Sequence, residues 1–130
     1  MLSRSTEMPS RFRIPHSELW LSASEFHCGT NTTALLPAMA TDGASIIGVD
    51  WRVPLDEAWT RIGHDLGIQG NLDPCALFGT PETIEEKTLD VLRRAGGRPG
   101  HIFNLGHGLL PATPLDNVRR LVDLVHERSA

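Results

Sequence analysis

The sequence predicts an α/β domain in which consecutive strand–helix units build a parallel sheet. From about residue 30 onward, short apolar runs of strand length alternate with segments whose apolar residues recur at helical spacing. Polar residues gather directly after the apolar runs, where parallel α/β folds place their binding loops. With 130 residues, of which 40% are hydrophobic, the chain has the size and composition of one globular domain.

The first predicted helix covers residues 33–41 and precedes the first predicted strand, residues 44–50. The helix carries apolar residues at helical spacing and ends where Asp42 and Gly43 supply turn chemistry. The strand is a short apolar run, typical of a buried strand. A second helix is predicted over residues 54–62 and ends at Gly63, which suits a left-handed position. A second strand follows over residues 66–70.

The third predicted helix has a well-defined start and end. Thr80 is placed to cap free amides, Pro81 suits the first helical position, and Gly96 follows the last turn. The third strand covers residues 101–105, and a final helix begins near Thr113. The apolar stripe of this last helix is predicted to consist of Leu115, Val118, Val122 and Val125. The sequence thus predicts three consecutive strand–helix units.

Composition and charge exclude several classes of protein. The formal net charge of −4, with both signs mixed along the chain, argues against a protein that binds nucleic acid through its phosphates. Cys28 and Cys75 lack the spacing of a four-thiolate zinc site and are too few for a disulfide framework. The apolar runs are shorter than the ~20 residues of a membrane-spanning helix. These features predict a soluble, cytoplasmic protein with reduced thiols.

The first 25 residues are predicted to form an irregular lead-in of unknown origin, and residues 26–130 to form the folded segment. The lead-in is rich in Ser, Arg and Pro and has no sustained periodicity. An organelle transit peptide is an alternative, although Glu7 and Glu18 argue against it because such peptides contain few acidic residues.

Three polar loops after the predicted strands are the candidate functional site. They contain Asp50, the segment from Gln69 to Asp73, and His107 between two glycines. Since the carboxyl ends of parallel strands meet at one edge of a sheet, these loops are expected to share a rim. An imidazole there is able to donate, accept or carry charge near neutral pH. The alternative is that His107 is an ordinary surface residue in a turn.

Three motifs that run from the predicted strands into these loops resemble a known family. Residues 48–52 (GVDWR), 69–74 (QGNLDP) and 100–108 (GHIFNLGHG) are similar, in this order and spacing, to the C-terminal part of uroporphyrinogen decarboxylase. The resemblance covers about residues 26–128. It implies a partial TIM-type (β/α)8 barrel, of which this chain supplies the last three βα units.

The resemblance also implies a reaction and a substrate. The family is a carboxy-lyase that removes the carboxyl groups of the four acetate arms of uroporphyrinogen III, giving coproporphyrinogen III in heme biosynthesis. It needs no cofactor, because the substrate's own pyrrole serves as electron sink, and the resemblance implies no metal site. His107 is the residue carried over as substrate-binding, against a propionate or acetate. Asp50, Asn71 and Asp73 are further candidates, and the family's arginine and aspartate loops, which precede this segment, have no match here.

Plain structural roles are alternatives for most of these residues. Asp50 suits a local ion pair with Arg52, while Asn71 and Asp73 suit hydrogen bonds that shape their own loop. Asn104 is expected to point away from Phe103 and Leu105 and to bond a neighbouring strand. Three further histidines are predicted to be surface or structural residues, namely His64, His101 and His126.

Two other functions remain open at this point. A barrel of this type needs ~250 residues, so a shorter chain would expose its edges and either self-associate or require a complementing chain. It would then be a non-catalytic fragment or one part of an enzyme. The second alternative is a zinc-thiol corrinoid methyltransferase, in which His27, Cys28 and Cys75 would bind zinc and activate a thiol.

Overall fold

A computed structural model describes residues 25–27 and 31–129, and these residues form a parallel sheet covered by helices. The sheet has four strands in the unreversed order β1-β2-β3-β4, and every neighbouring pair is parallel. The strands are β1 Glu25–His27, β2 Ile46–Gly48, β3 Gly67–Leu72 and β4 His101–Leu105. The helices are α1 Leu36–Met39, α2 Leu55–Ile62, α3 Pro81–Ala95 and α4 Leu115–Ser129. Short 3-10 turns lie at Thr33–Leu35 and Pro74–Phe78.

The predicted α/β class and the three predicted strands are confirmed. The structure adds β1, which the sequence analysis did not predict because a three-residue strand carries too little periodicity to recognise. The first predicted helix is broken into the 3-10 turn Thr33–Leu35 and the short helix α1. The third strand begins and ends as predicted, whereas β3 continues two residues further than expected, to Leu72.

The ends of the helices follow the local sequence. The Thr80 hydroxyl accepts a hydrogen bond from the Thr83 N–H at 3.3 Å and caps α3, and Gly96 ends that helix in the left-handed conformation. Gly63 ends α2 with the expected positive φ of 88°, but its ψ of 143° is extended. The prediction of a left-handed helical conformation at Gly63 is therefore wrong, because the chain leaves α2 directly toward the next strand.

The core lies between one face of the sheet and the helices. Ile47, Ile68 and Leu72 are almost completely buried on this face. They belong to one apolar cluster with Leu55, Trp59, Ile84 and Leu121 from the helices. The Trp59 indole N–H donates to the Leu66 carbonyl at 2.9 Å, so this large side chain is buried with its polar atom satisfied.

The other face of the sheet is more exposed. Along β4, Ile102 and Asn104 are exposed and alternate with half-buried or buried neighbours. Ile46 and Gln69 occupy the same face on the preceding strands and are half-buried. Right-handed crossovers in an unreversed strand order place successive helices on a single face, which leaves the opposite face without a helical layer in the described part of the chain.

The stripe predicted for the last helix is only partly correct. Leu121 is buried, and Val118 and Val125 pack against the core. Leu115 and Val122, however, are 60% and 47% exposed. Their inclusion in the buried stripe is wrong because Val118, Leu121 and Val125 form the face of α4 that meets the sheet, while Val122 lies toward the open side of β4.

Residues 1–24, 28–30 and 130 lie outside the described residues. The predicted lead-in falls almost entirely there, and so does Cys28. The boundary between residues 25 and 26 stays a prediction. Among the residues that the structure describes, no helix combines the length and apolar character needed to cross a membrane.

Candidate functional site

The loops after β2, β3 and β4 are joined at the carboxyl edge of the sheet. The Gly106 N–H donates to the Leu72 carbonyl at 2.8 Å and extends the pairing of β3 with β4 into the loops. The Asn71 side-chain amide, which is buried, donates to the Asp50 carbonyl at 3.1 Å and to the Val53 carbonyl. Asn71 of β3 therefore binds the loop after β2 at two backbone positions, Asp50 and Val53.

Asp50 is a buried anchor within this network. One carboxylate oxygen accepts hydrogen bonds from the Asn31 N–H at 2.9 Å and from the Arg52 guanidinium at 2.7 Å. The other accepts from the Arg52 N–H at 3.0 Å. The local ion pair that the sequence suggested is thus present, and both oxygens of Asp50 are occupied by the protein itself.

The environment keeps the Asp50 carboxylate charged. Burial by itself raises the pKa of this carboxyl group. The N–H groups of Asn31 and Arg52, together with the Arg52 guanidinium, outweigh that effect and hold the pKa below its usual value. The lowered pKa favours the charged form of Asp50, which orients Arg52.

Trp51 and Arg52 form a stacked pair on the rim. The guanidinium carbon lies 4.6 Å from the centre of the indole ring, a cation–π contact. Trp51 remains 38% exposed, and the Arg52 side chain 42% exposed. An aromatic surface and an oriented cation are therefore presented together at the carboxyl end of β2.

Gly106 brings the loop that carries His107 against this pair. A β-carbon added at Gly106 would lie 2.2 Å from the Trp51 nitrogen and 2.7 Å from its α-carbon, so only glycine fits. The close approach allowed by this glycine is to the protein's own backbone. Gly108 on the other side of His107 faces open space.

His107 is exposed and lines a groove between the end of β4 and α4. The groove has a volume of 330 Å³ and is largely apolar. Its walls include Phe103, Leu105, Val118, Leu121 and Val125. An exposed imidazole at the carboxyl end of β4 is suited to pair with a carboxylate.

Asp73 is separate from this cluster. Its carboxylate accepts a hydrogen bond from the Cys75 N–H at 2.9 Å and caps the 3-10 turn Pro74–Phe78. The interpretation that this carboxylate shapes its own loop is confirmed. The structure therefore joins Asp50, Asn71 and the His107 loop, whereas Asp73 points into the following turn.

The remaining candidates also have structural contacts. Asn104 is exposed, but its side chain accepts from the N–H of Leu105 at 2.8 Å, so the predicted bond to a neighbouring strand is wrong. A side chain on an edge strand reaches its own backbone more readily than a partner strand. His64 is exposed, with its ring 5.6 Å from Trp59, and His126 is exposed on α4, as predicted.

His101 is the structural histidine that the sequence suggested. Its Nε2 lies 2.8 Å from the Gly70 carbonyl oxygen, which only accepts hydrogen bonds, so Nε2 carries the proton. The ring packs 6.4 Å from Trp59 and 6.1 Å from Phe103. Burial lowers the pKa of His101, and the bond to Gly70 opposes this only in part.

The zinc-binding alternative has little support within the described residues. They contain no group of three His, Cys, Asp or Glu side chains able to hold a metal ion. Cys75 is a free, exposed thiol, and Cys28 lies outside the described residues.

Lys87 and Arg94 are candidate binding residues that the sequence analysis missed. Both line a cavity between α3 and the loops after β2 and β3. On an amphipathic helix they are indistinguishable from solvent-facing charges, so the sequence carries no signal for them. Only the juxtaposition of α3 with the two loops identifies their position.

Comparison with known proteins identifies the family. The model of a family described as uroporphyrinogen decarboxylase (URO-D) matches residues 21–128. The chain belongs to the uroporphyrinogen decarboxylase family. The resemblance predicted from the three motifs is thereby confirmed, and each motif runs from a strand into one of the loops whose contacts are described above.

Curated uroporphyrinogen decarboxylases are similar to this chain over part of their length. The protein from Sorangium cellulosum is 56% identical over 100 residues, which are 77% of this chain and 29% of that protein. The protein from Carboxydothermus hydrogenoformans is 44% identical over 97% of this chain and 38% of its own length. The protein from Streptomyces avermitilis is 46% identical over 98% of this chain and 36% of its own length. The chain thus spans about a third of these relatives.

A solved structure shares the fold. A methyltransferase from Methanosarcina mazei superposes with a TM-score of 0.71 and 27% sequence identity, over 85% of this chain and 32% of that protein. The family member described here therefore has the arrangement of strands and helices found in one part of a larger α/β protein.

Proposed function

We propose that this chain forms the C-terminal part of a uroporphyrinogen decarboxylase, a carboxy-lyase of heme biosynthesis that converts uroporphyrinogen III to coproporphyrinogen III. The observation that carries the proposal is the family match over residues 21–128, which includes the His107 loop. In this proposal the chain acts in the cytoplasm, where the free Cys75 thiol stays reduced. It requires no metal or cofactor.

The proposed role of His107 is to bind a carboxylate of the tetrapyrrole. The imidazole is exposed at the carboxyl end of β4, so a substrate arm has access to it. The contact between Gly106 and Trp51 sets the position of its loop. An imidazolium at this place would pair with an acetate or propionate and orient the pyrrole ring for loss of carbon dioxide.

Asp50 and Asn71 act as positioning residues in this proposal. Asp50 has both oxygens engaged by Asn31 and Arg52, and Asn71 holds the backbone of the same segment. Asp73 caps the turn at Pro74 and retains one oxygen without a described protein donor. It is the carboxylate among these candidates with a free acceptor atom near the rim.

The sheet is proposed to be a segment of a (β/α)8 barrel. Its strand order never reverses, in contrast to doubly wound sheets, which reverse at the binding crevice. The exposed face that carries Ile102 and Asn104 would then line the inside of the barrel, and the helices would form its outer ring. The three predicted units and β1 would be consecutive strands of that barrel.

The open flank of β4 and α4 is the proposed contact with a complementing polypeptide. The unit formed by β3 and α3 is covered on its equivalent side by α4. Asn117 of α4 donates to the Leu77 carbonyl, and Arg128 of α4 pairs with Glu85 of α3. On the flank of β4 and α4 itself, Ile102, Leu109 and Val122 are all more than two-fifths exposed. A further strand paired with β4 would bury them, whether it belongs to a longer form of this chain or to another chain.

The test is an anaerobic assay of coproporphyrinogen formation with the purified chain mixed with a polypeptide that supplies the preceding part of a homologous barrel. Activity is expected in the mixture and at least tenfold less with His107→Ala, because one charge-assisted contact is lost. His64→Ala, an exposed histidine remote from the rim, is the matched control. An inactive mixture of folded components would favour the non-catalytic fragment, and unchanged activity of His107→Ala would remove His107 from the site.

A methyltransferase is the second candidate, favoured by the structural similarity to the Methanosarcina mazei protein. It would require His27, Cys28 and Cys75 to bind zinc and to activate a substrate thiol. A titration with zinc that releases thiol protons from both cysteines is expected if this function is correct. The absence of stoichiometric zinc binding would exclude it.

A further inference from the structure

A second cavity lies at the carboxyl ends of β2 and β3. It has a volume of 480 Å³, is open to solvent, and is lined by the loops after these strands and by α3. It shares no lining residue with the groove beside His107. Binding sites in parallel α/β folds occur at this end of the sheet, and cavities of about 300–1,000 Å³ accommodate small organic ligands.

Arg52 is oriented in advance at the mouth of this cavity. The buried carboxylate of Asp50 holds one terminal nitrogen, and the Trp51 indole supports the face of the guanidinium. Nε and the second terminal nitrogen have no acceptor among the described residues. A guanidinium fixed in this way loses little rotamer freedom when it binds a carboxylate, which favours binding.

Lys87 supplies a second cation from α3. Its side chain is exposed and forms no ion pair with any described residue. Arg94, which also lines the cavity, is engaged by Asp56 at 3.0 Å and by Asp90 at 2.8 Å. Lys87 is therefore a cation of the cavity wall without an ion-pair partner among the described residues, and it shares that wall with the exposed part of Arg52.

The acidic residues of the cavity wall are themselves engaged. Asp90 pairs with Arg93 and Arg94, and Asp73 accepts from the Cys75 N–H. Both oxygens of Asp90 and one oxygen of Asp73 are engaged in this way, while the second oxygen of Asp73 has no described donor. Neither carboxylate forms an ion pair with Lys87 in the described part of the chain.

The remaining wall is apolar. It is formed by Val53, Leu55, Leu72, Ala76 and Val91. Leu55 and Leu72 are almost completely buried, whereas the Trp51 indole is partly exposed at the rim. A flat apolar ring that enters this cavity would pack on aliphatic side chains and against the indole edge or face.

We infer that this cavity binds a small ligand that carries a carboxylate on an apolar ring, with the carboxylate between Arg52 and Lys87. Its volume suits a single ring with a short acidic arm. The site is distinct from the proposed tetrapyrrole contact at His107 and does not depend on decarboxylase activity.

The first experiment compares two probes that differ only in charge. Phenylacetate is titrated into the isotopically labelled full chain and followed through backbone amide shifts, with phenylacetamide as the neutral analogue. Saturable binding with a dissociation constant on the order of 1 mM is expected for phenylacetate, with shifts at Arg52, Cys75 and Lys87. Binding of phenylacetamide is expected to be at least ~5-fold weaker, since the charge-assisted contacts are lost.

Variants of the two cations provide the second test. Lys87→Met removes the ammonium group from an exposed helix position and is expected to weaken phenylacetate binding ~3- to 10-fold. Arg52→Lys keeps a charge near Asp50 but loses the planar donor set, so it is expected to weaken binding as well. Arg119→Gln, an exposed arginine of α4, is the matched control and is expected to bind as the wild type does.

Three outcomes would overturn the inference. Equal binding of the acid and the amide would show an apolar cavity without carboxylate recognition. Unchanged binding in both Lys87→Met and Arg52→Lys would place the ligand elsewhere. The absence of saturation at ~20 mM phenylacetate would mean that no such site exists, since that affinity is below what even a small ring with one ion pair attains.

Discussion

Strand β3 and strand β4 have similar apolar content, yet β3 is packed much more completely than β4. Ile68 on β3 is completely buried between neighbouring strands and beneath the helices, whereas Ile102 on β4 is 43% exposed. Both are isoleucines in parallel strands that pair with each other. Ile68 lies on the face that the helices cover, whereas Ile102 lies on the opposite face, which no helix covers in the described part of the chain, and on a strand with no described neighbour beyond it. The difference teaches that burial in this protein is decided by which elements cover each face and edge of the sheet.

The helices repeat the same contrast. Ile84 of α3 is fully buried because α3 lies over the packed part of the sheet and against α4. Val122 of α4 is 47% exposed because it faces the side that no described element covers. The packed region is defined here as β2, β3, α2 and α3, and most of its apolar residues are buried against one another. The open flank, defined as β4 and α4, packs on this core through Leu105 and Leu121 but carries apolar residues that no described element covers.

The largest expected effect is a difference between the two isoleucines. Ile68→Ala should lower the free energy of unfolding by about 4 kcal/mol, since it removes a fully buried side chain and leaves a cavity. Ile102→Ala should cost less than about 1 kcal/mol because much of that side chain already contacts water. Urea unfolding followed by tryptophan fluorescence measures both values.

Equal losses in these two variants would contradict the contrast between the packed region and the open flank. A complementing polypeptide provides the sharper version of the experiment. If it covers β4 as proposed, Ile102→Ala should become more costly in the mixture, approaching the value for a buried isoleucine.

The next effect concerns the contact that ties the open flank to the packed region. Gly106→Ala should destabilise the protein by about 3 kcal/mol, because its β-carbon would overlap the Trp51 backbone and the two loops must separate. Gly108→Ala meets open space and is the control, with an expected change below about 1 kcal/mol. Thermal unfolding of the two variants decides the matter, and similar midpoints would show that the Gly106 contact is not needed.

A smaller change in stability is expected from a buried polar group inside the packed region. The Thr88 hydroxyl is completely buried on α3 and has no hydrogen-bond partner among the described residues. Thr88→Val replaces it with a methyl group of similar shape and should raise the free energy of unfolding by about 1 kcal/mol, since a buried unsatisfied hydroxyl is removed. Thr60→Val on the exposed face of α2 is the control, and a loss of stability in Thr88→Val would contradict this description of the core.

The smallest effect is a pH dependence at the boundary between the two regions. Because burial lowers the pKa of His101 below its ordinary value of 6.5, the unfolded chain binds more protons than the folded chain as the pH falls below about 6.5. Stability from this group is therefore complete above that pH and is lost as the pH falls through the lowered pKa. The slope between pH 7.5 and pH 5.5 should become shallower in His101→Gln, whose amide keeps a donor for Gly70.

The matched control for the pH experiment is His64→Gln, which is exposed. It should keep the wild-type slope. An unchanged slope in His101→Gln would mean that another group carries the pH dependence.

Much of the local structure was predictable because its causes are local. Thr80, Pro81 and Gly96 act within one turn of α3, so their roles are readable without knowledge of the fold. The strand His101–Leu105 was predicted at its observed bounds because a glycine precedes it and a glycine follows it. The brief β1 was not predicted, since three residues give no usable pattern and their pairing with β2 defines the strand.

The candidate site was predictable in position but not in detail. The rule that loops after parallel strands share one edge led to Asp50, Asn71 and His107, and the structure joins the loops that carry them. The sequence did not show that both oxygens of Asp50 are hydrogen-bonded, because its partner Asn31 lies 19 residues away. Lys87 and its cavity were missed, since the facing loops come from other parts of the chain.

The sequence by itself determined the alternation of strands and helices, the caps of α3, the family and the loops in which a site would lie. These follow from residue types at short spacing, where sterics and backbone hydrogen bonding act within a few positions. Only the tertiary structure decided which apolar residues are buried, which carboxylates are already paired, and where a cavity opens. Those outcomes depend on neighbours brought together across the sheet, so Ile68 and Ile102 differ in exposure although the sequence presents both as strand isoleucines.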